Sequence, residues 1–345
     1  MKFIFALVIT FLFSIAFSFK DVSAESIQEG VSVDIARKEY SLESLKQIVD
    51  TIHENNGQYL QLHFSDDENY AIESDYFSHQ GIPNENYLTK AEIKSLIAYS
   101  NELNVMVVPD IDFPSHSKAL LSLIKNEDKD LYNQIISDYS DNTFDFFSND
   151  KALAISKRHI GEITTLFNQP KYNGQQRIVL GGDEVPGGGA YQSDFISYMN
   201  NIGSYAAGQG YEPQMWNDMI SHEGIKSLND TFSILYWKQN ENSKSDLTVE
   251  DFAEDDFKIY NYNFYSLYFL PSNQFTNADI EEQADYISWA YAYNKFFYTN
   301  EPYQEVDSDN VKGSALSFWG EDALNMSQTE LINQEIPLIK AYFSS

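Results

Sequence analysis

The sequence predicts an α/β protein, a single (β/α)8 barrel with its active site at the C-terminal ends of the strands. Three observations carry this. Eight short β-type runs alternate with helical stretches, the pattern of a parallel sheet wrapped by helices. Polar and charged residues collect at the carboxyl ends of the apolar runs, in "DIAR", "HFSDD", "PDID", "GGDE", "WND", "YW", "NYN" and "FWGED", where barrel enzymes build their sites. No repeat, linker or low-complexity tract divides residues 25–345. A doubly wound open sheet is the alternative, but it gives no reason to decorate every strand end.

The runs are "VSVDIA" (31–36), "YLQLHF" (59–64), "VMVVPDID" (105–112), "RIVLGG" (177–182), "PQMWND" (213–218), "FSILYW" (232–237), "KIYNYN" (258–263) and "SALSFW" (314–319). Between the first two, Leu42, Leu45, Ile48, Val49 and Ile52 recur at helical spacing. Thr89 with Glu92 three residues later forms a capping-box pattern opening the next helix. "ALAISKRHIGEITTLF", "SDFISYMNNIGSYAAGQG" and "TELINQEIPLIKAYF" read as helices, the last interrupted by Pro337. After the sixth run only "TVEDFAED" offers a helix.

Residues 1–24 read as a signal peptide: Lys2, an apolar run from Phe3 to Phe19, then Val22-Ser23-Ala24 as a cleavage site. An uncleaved anchor is the alternative. Residues 25–345 are then one catalytic barrel domain, secreted and extracellular, with no membrane association after cleavage. The chain has no cysteine, so its stability rests on its core. Its formal charge is −30, or −31 once Lys2, Lys20 and Asp21 are removed. That field repels nucleic acids and anionic membranes and attracts a cationic polymer. Solubility is the plainer reading. A monomer is expected.

The fourth run ends "RIVLGGDEVPGGG", with Asp183 and Glu184 side by side. Gly181 and Gly182 would allow a sharp exit from the strand. Glycosidases usually place two carboxyls on different strands. Neighbouring acids suit a scheme in which one protonates the leaving oxygen and the other orients a nucleophile of the substrate itself, the 2-acetamido oxygen of an N-acetylhexosamine. The alternative is an N-cap pair opening the next helix. Asp66 and His116 complete a possible relay, with Asp66 holding His116 and His116 contacting Glu184. Trp216, Trp237 and Trp319 end apolar runs, where indole faces can pack sugar CH groups. Trp289, in "YISWAYAY", reads as packing. Arg37 could clamp sugar hydroxyls or form an ion pair. Glu321 could accept hydroxyl hydrogens or cap a helix. No HExxH or Cys/His cluster is present, and the Gly-rich stretch lacks the signatures of a phosphate loop. No metal and no cofactor are expected.

These motifs resemble glycoside hydrolase family 20, the β-N-acetylhexosaminidases. "DIARKEYS", "LHFSDDENYAIES", "GGDE", "MWND", "NYNFYSLY" and "SFWGEDA" are most similar to the dispersin-type subgroup, which cleaves poly-β-1,6-N-acetylglucosamine of biofilms. The resemblance spans nearly all of residues 30–345. It implies Glu184 as general acid/base, Asp183 as the residue polarising the acetamido group, and Asp66 and His116 as the relay. It implies substrate binding by Arg37, Glu321, Trp216, Trp237 and Trp319, and by Tyr268, with Tyr265 as rival, at the acetamido oxygen. The partner implied is a polysaccharide containing N-acetylglucosamine. A general hexosaminidase acting on chitin or peptidoglycan fragments, or a catalytically weak glycan-binding barrel, are the alternatives. Two positions depart from the subgroup: Gly187, where it carries an aromatic, and Asp67, where it carries His. The first puts the outer subsites, and with them exo versus endo cleavage, in question.

Overall fold

The computed structural model describes residues 27–79, 86–237, 246–298 and 301–345. The expected signal peptide, residues 1–24, lies outside them. Among the described residues no helix is long and apolar enough to cross a membrane.

Eight parallel strands close into a barrel: β1 (Gln28–Asp34), β2 (Tyr59–Ser65), β3 (Met106–Phe113), β4 (Arg177–Gly181), β5 (Glu212–Trp216), β6 (Ser233–Tyr236), β7 (Lys258–Asn261) and, after three minor strands, β11 (Val311–Phe318). Closure comes from β1 pairing in parallel with β11, from Gln28 opposite Gly313 to Val33 opposite Phe318. All eight runs expected from the sequence therefore fall on barrel strands. Strand β8 (Tyr268–Phe269) adds to β11, and β9 (Lys295–Tyr298) and β10 (Glu301–Glu305) form a hairpin.

The helices are α1 (Leu42–Glu54), α2 (Lys90–Glu102), α3 (Lys118–Glu127), α4 (Lys129–Ile135), α5 (Asp150–Leu166), α6 (Gln192–Gly208), α7 (Val249–Glu254), α8 (Phe264–Leu267), α9 (Asn277–Ala290) and α10 (Gln328–Phe343). Thr89 and Glu92 do form the capping box of α2, and Thr248 with Asp251 caps the short α7. Helix α10 continues through Pro337.

Strand alternation separates two apolar layers. Tyr59, Val108, Val179, Trp216, Leu235, Tyr260 and Ala315 fill the barrel interior, while Leu60, Val107, Ile178, Ile234, Ile259 and Leu316 join the larger layer beneath the helices. Arg177 is buried in that interior, its guanidinium 4.1 Å from the Tyr59 ring centroid and 4.8 Å from that of Tyr260. Aromatic faces thus accept the cation, and among the described residues no carboxylate lies within ion-pair distance of it.

The closing seam leaves no room for a side chain at Gly313, where a Cβ would collide with the backbone carbonyl oxygen of Gln28. Gly313→Ala should therefore cost about 1–3 kcal/mol as strand β1 or β11 shifts, read as a lower denaturant midpoint with an unchanged slope.

Candidate active site

The strand ends converge on a cleft of about 240 Å³. Arg37, Asp66, His116, Asp183, Glu184, Trp216, Trp237, Tyr268, Trp319 and Glu321 all line it. These are the ten residues singled out from the sequence. His63, Asp112, Phe264 and Leu270 complete the lining. Tyr265 is not among these residues; its carbonyl accepts a bond from the Tyr286 hydroxyl.

The backbone after β4 sets the acids. Gly181 and Gly182 have φ of +72° and +92°, and Glu184 itself has φ of +46°. A Cβ at Gly181 would lie 2.8 Å from both Asp112 Oδ1 and the Phe113 backbone nitrogen, so the conformation and the space both require glycine. A positive φ at a non-glycine residue is strained and is found at functional sites. Helix α6 does not begin until Gln192, so Asp183 and Glu184 do not cap it. Asp218, from the end of β5, accepts from the Glu184 backbone N–H and from the Trp237 indole N–H, each at 3.0 Å. The Ser115 hydroxyl donates to the Asp183 carbonyl at 2.6 Å.

His116, with φ of +50°, faces both acids. Its Nε2 lies 3.7 Å from Asp183 Oδ2 and 3.7 Å from Glu184 Oε2. Asp183 is 18 % exposed and Glu184 52 %, so one acid is shielded and the other reaches into the cleft. Burial raises the Asp183 pKa, and the Glu184 charge adds to this against His116. Burial opposes protonation of His116, but Glu184, Asp183, Asp112 and Asp66 outweigh it and push its pKa up to about 11. Burial and the Asp183 charge together push Asp218 up to about 7.

The Asp66 arrangement differs from the expected relay. His116 Nδ1 is 3.8 Å from Asp66 Oδ1, an ion-pair distance rather than a hydrogen bond. The close partners of Asp66 are His63 Nε2 at 2.9 Å and Arg37 at 2.6 Å. His63 is the residue the sequence reading passed over. It is fully buried, its Nδ1 lies 3.2 Å from Asp110, and its ring meets Trp319 edge-on at 5.1 Å. Burial disfavours its charge, but Asp110 and Asp112 raise its pKa well above the ordinary value. The available signal was a histidine inside the apolar run "YLQLHF".

Arg37 is committed to ion pairs. It contacts Asp34 at 3.0 Å as well as Asp66, with Glu68 at 3.4 Å and Glu321 at 3.9 Å. Its guanidinium also lies 5.6 Å from the Trp319 ring centroid. Glu321 precedes no helix; the next begins at Gln328 and is capped by Ser327. The aromatic wall is continuous. Trp237 stacks parallel to Tyr268 at 6.0 Å, Tyr268 meets Trp319 at 5.5 Å, and Trp319 meets Trp216 at 6.2 Å. Trp289 is not packing: it is 66 % exposed.

Two residue sets, His63 with Asp66 and Asp112, and Asp66 with Asp67 and His116, bring ligand-type atoms within 4.8 Å. The surrounding carboxylates raise the pKa of both histidines, and a proton on an imidazole nitrogen competes with a metal for the same lone pair.

The profile of the "Glycosyl hydrolase family 20, catalytic domain" matches residues 29–333. The chain belongs to glycosyl hydrolase family 20. It is 23 % identical over 356 residues to the β-hexosaminidase subunit beta of Entamoeba histolytica, covering 92 % of this chain and 59 % of that protein. To a β-hexosaminidase of Vibrio furnissii it is 27 % identical over 187 residues, covering 46 % of this chain and 29 % of that one. The chain therefore spans less than two thirds of the length of either relative. Among solved structures, Dispersin B superposes with a TM-score of 0.82 at 24 % identity, covering 92 % of this chain and 99 % of that one. This is a likeness of fold.

The charge field around His116 has a direct consequence. Its ring should keep both protons through pH 8, where an ordinary histidine is neutral, and lose one only near pH 11. Nitrogen chemical shifts of the imidazole across a pH titration check this.

Proposed function

We propose that the chain is a secreted β-N-acetylhexosaminidase that cleaves β-linked N-acetylglucosamine by substrate-assisted retention. The observation that carries the reading is the placement of Asp183 and Glu184 on the same nitrogen of His116, at the edge of an aromatic-walled cleft. A sugar ring packed on Trp319 and Trp216 would set its anomeric carbon beside the two acids. The acetamido oxygen attacks that carbon while Glu184 gives a proton to the departing glycosidic oxygen, and the bond to the leaving sugar breaks. Asp183 accepts from the acetamido N–H and balances the positive charge growing on the bicyclic intermediate. Glu184 then takes a proton from water, the water oxygen attacks the anomeric carbon, and the acetamido group is restored. Two inversions give net retention.

The two roles need different surroundings, and the acids have them. Asp183 is shielded, with its backbone carbonyl held by Ser115 and its buried Oδ1 without a hydrogen-bond partner among the described residues, open to accept from a substrate N–H. Glu184 is open to the cleft, as a group that meets a leaving sugar and then water must be. His116 stands between the two carboxyl groups, its Nε2 3.7 Å from each. Tyr268, half-buried against Trp237, stands ready to donate its hydroxyl to the acetamido oxygen.

The finer reading is the β-1,6-linked N-acetylglucosamine polymer. It is supported by the sequence resemblance to the dispersin-type subgroup, by the fold likeness to Dispersin B and by a formal charge of −30 that would attract a partly deacetylated, cationic glycan. Secretion rests on the leader-like residues 1–24.

Glu184→Gln should lower the release of an aryl group from an aryl N-acetylglucosaminide by about 10²–10⁴-fold. Asp183→Asn should also lose rate, and a thiazoline mimic of the intermediate should inhibit the wild type. Wild-type protein that binds polymer yet releases nothing from either substrate would make it a glycan-binding barrel instead. Product analysis on β-1,6 and β-1,4 oligomers side by side decides the linkage. Raising salt should slow cleavage of the deacetylated polymer several-fold while sparing the small neutral substrate; equal effects on both would remove the electrostatic argument.

A further inference from the structure

Trp289 is a large apolar side chain left two-thirds in solvent, 66 % exposed. It does not stand alone. Its ring centroid lies 6.2 Å from that of Tyr286 and 6.5 Å from that of Phe297, and Phe297 lies 5.5 Å from Tyr303. Tyr303 is itself exposed, and Lys295 sits 4.6 Å from its ring centroid. A chain of contacts leads from this surface back to the cleft. The Tyr286 hydroxyl donates to the Tyr265 carbonyl at 3.1 Å, the Tyr265 ring meets Phe264 edge-on at 5.0 Å, and Phe264 lines the cleft while remaining 45 % exposed.

The platform is fixed to the barrel. Asn261, the last residue of β7, donates its side-chain amide to the carbonyls of Tyr293 and Lys295 at 3.2 and 2.7 Å. Asn263 does the same to the Phe297 carbonyl at 2.9 Å. These bonds tie the base of the β9–β10 hairpin to the strand end that borders the site. An exposed aromatic surface anchored to a strand end is suited to the apolar CH faces of sugar rings.

We propose that Trp289, with Phe297 and Tyr303, forms a second glycan-binding surface that holds the same polymer chain whose N-acetylglucosamine residue occupies the cleft, with Phe264 as the bridge between the two. The occupant follows from continuity: the surface begins at a residue of the cleft itself. Indole and phenyl faces recognise pyranose rings irrespective of their acetylation, so this surface grips along the chain while the cleft selects the residue to be cut. The inference rests on the glycosidase reading above.

The test uses the full chain as wild type, Trp289→Ala, Trp289→Phe and Trp289→Ala/Tyr303→Ala. Each is assayed on an aryl N-acetylglucosaminide and on soluble β-1,6-linked N-acetylglucosamine polymer, and each is run in native gels cast with and without that polymer. Trp289→Ala should raise the KM for polymer about fivefold, leave kcat and the aryl substrate unchanged, and run faster in the polymer gel. Trp289→Phe should recover most of the retardation, and the double variant should lose more. Equal retardation and equal polymer KM in wild type and Trp289→Ala would overturn the proposal. So would a parallel loss on the aryl substrate, which marks a structural role, or loss of self-association in sedimentation with polymer cleavage intact, which assigns the surface to a second copy of the chain. If the wild type cuts neither substrate yet shows Trp289-dependent retardation, the catalytic reading fails and the binding surface stands.

Discussion

The mouth of the barrel depends on one electrostatic constraint. Asp34, Asp66, Asp110 and Asp112 are all buried there, with Asp183 close by. Carboxylates crowded in a low-dielectric site cannot all ionise unless cations are buried with them. Three cationic side chains meet the need. Arg37 bridges Asp34 and Asp66, His63 sits between Asp66 and Asp110, and His116 faces Asp183 and Glu184. The remainder is handled by protonation. Burial and Asp183 hold the Asp112 pKa well above the carboxylate range, whereas Asp66 is held well below it because His63 and Arg37 outweigh its burial. The site is thus a graded series of carboxyl groups in one cleft, and the grading comes from which cation each one touches.

The fold beneath this mouth is ordinary by comparison. Low in the barrel its interior layer is apolar and aromatic around the buried cation of Arg177, and it becomes polar toward the carboxyl ends. The transition is made by Gln61, which donates to Asp110 at 2.8 Å and accepts from the Tyr262 hydroxyl at 2.5 Å. Below it, Tyr59 and Tyr262 lie hydroxyl to hydroxyl at 3.2 Å. Each polar group hands its bond to the next, so the charged layer rests on a connected network rather than on bare hydrocarbon.

How much of this was legible follows from the physics of each signal. The eight strands were, because each carries a short apolar run that ends in polar residues, and a buried parallel strand has little freedom to look otherwise. Nine of the ten cleft residues were, because they sit at or just past those ends; Tyr268 came from the family resemblance alone, with Tyr265 as its rival. His63 was not, because inside an apolar run nothing local distinguishes a structural histidine from one facing a barrel mouth; only closure of the barrel brings Asp110 against it. The 3.8 Å gap between Asp66 and His116 was equally hidden, since it depends on Arg37 and His63 competing for the same carboxylate from other elements. Trp289 was misread as packing because a tryptophan at a helix end carries no mark of which way it faces. Helix α3 was passed over although Leu120, Leu121, Leu123 and Ile124 give it a clear buried face, whereas α4, α9 and the β9–β10 hairpin carry no strong period.

The adjacency of Asp183 and Glu184 has a geometric resolution. In an extended strand, consecutive side chains point to opposite faces. Two neighbouring acids continuing β4 would therefore be divided, one into the barrel mouth and one into the helix layer, where an unpaired carboxylate is costly. Instead the chain leaves the strand through positive φ at Gly181 and Gly182 and takes a third at Glu184. Both carboxylates then reach the same imidazole nitrogen at 3.7 Å. The turn is locked from below, where Asp112 and the Phe113 backbone crowd Gly181, and from the side, where Asp218 accepts the Glu184 N–H. Because Asp218 also fixes the Trp237 indole, a single carboxylate sets the strained acid and the aromatic wall in one frame. The glycines are therefore as much a part of the site as the acids: without their backbone freedom the same two carboxylates would be present in the sequence and absent from the cleft as a pair.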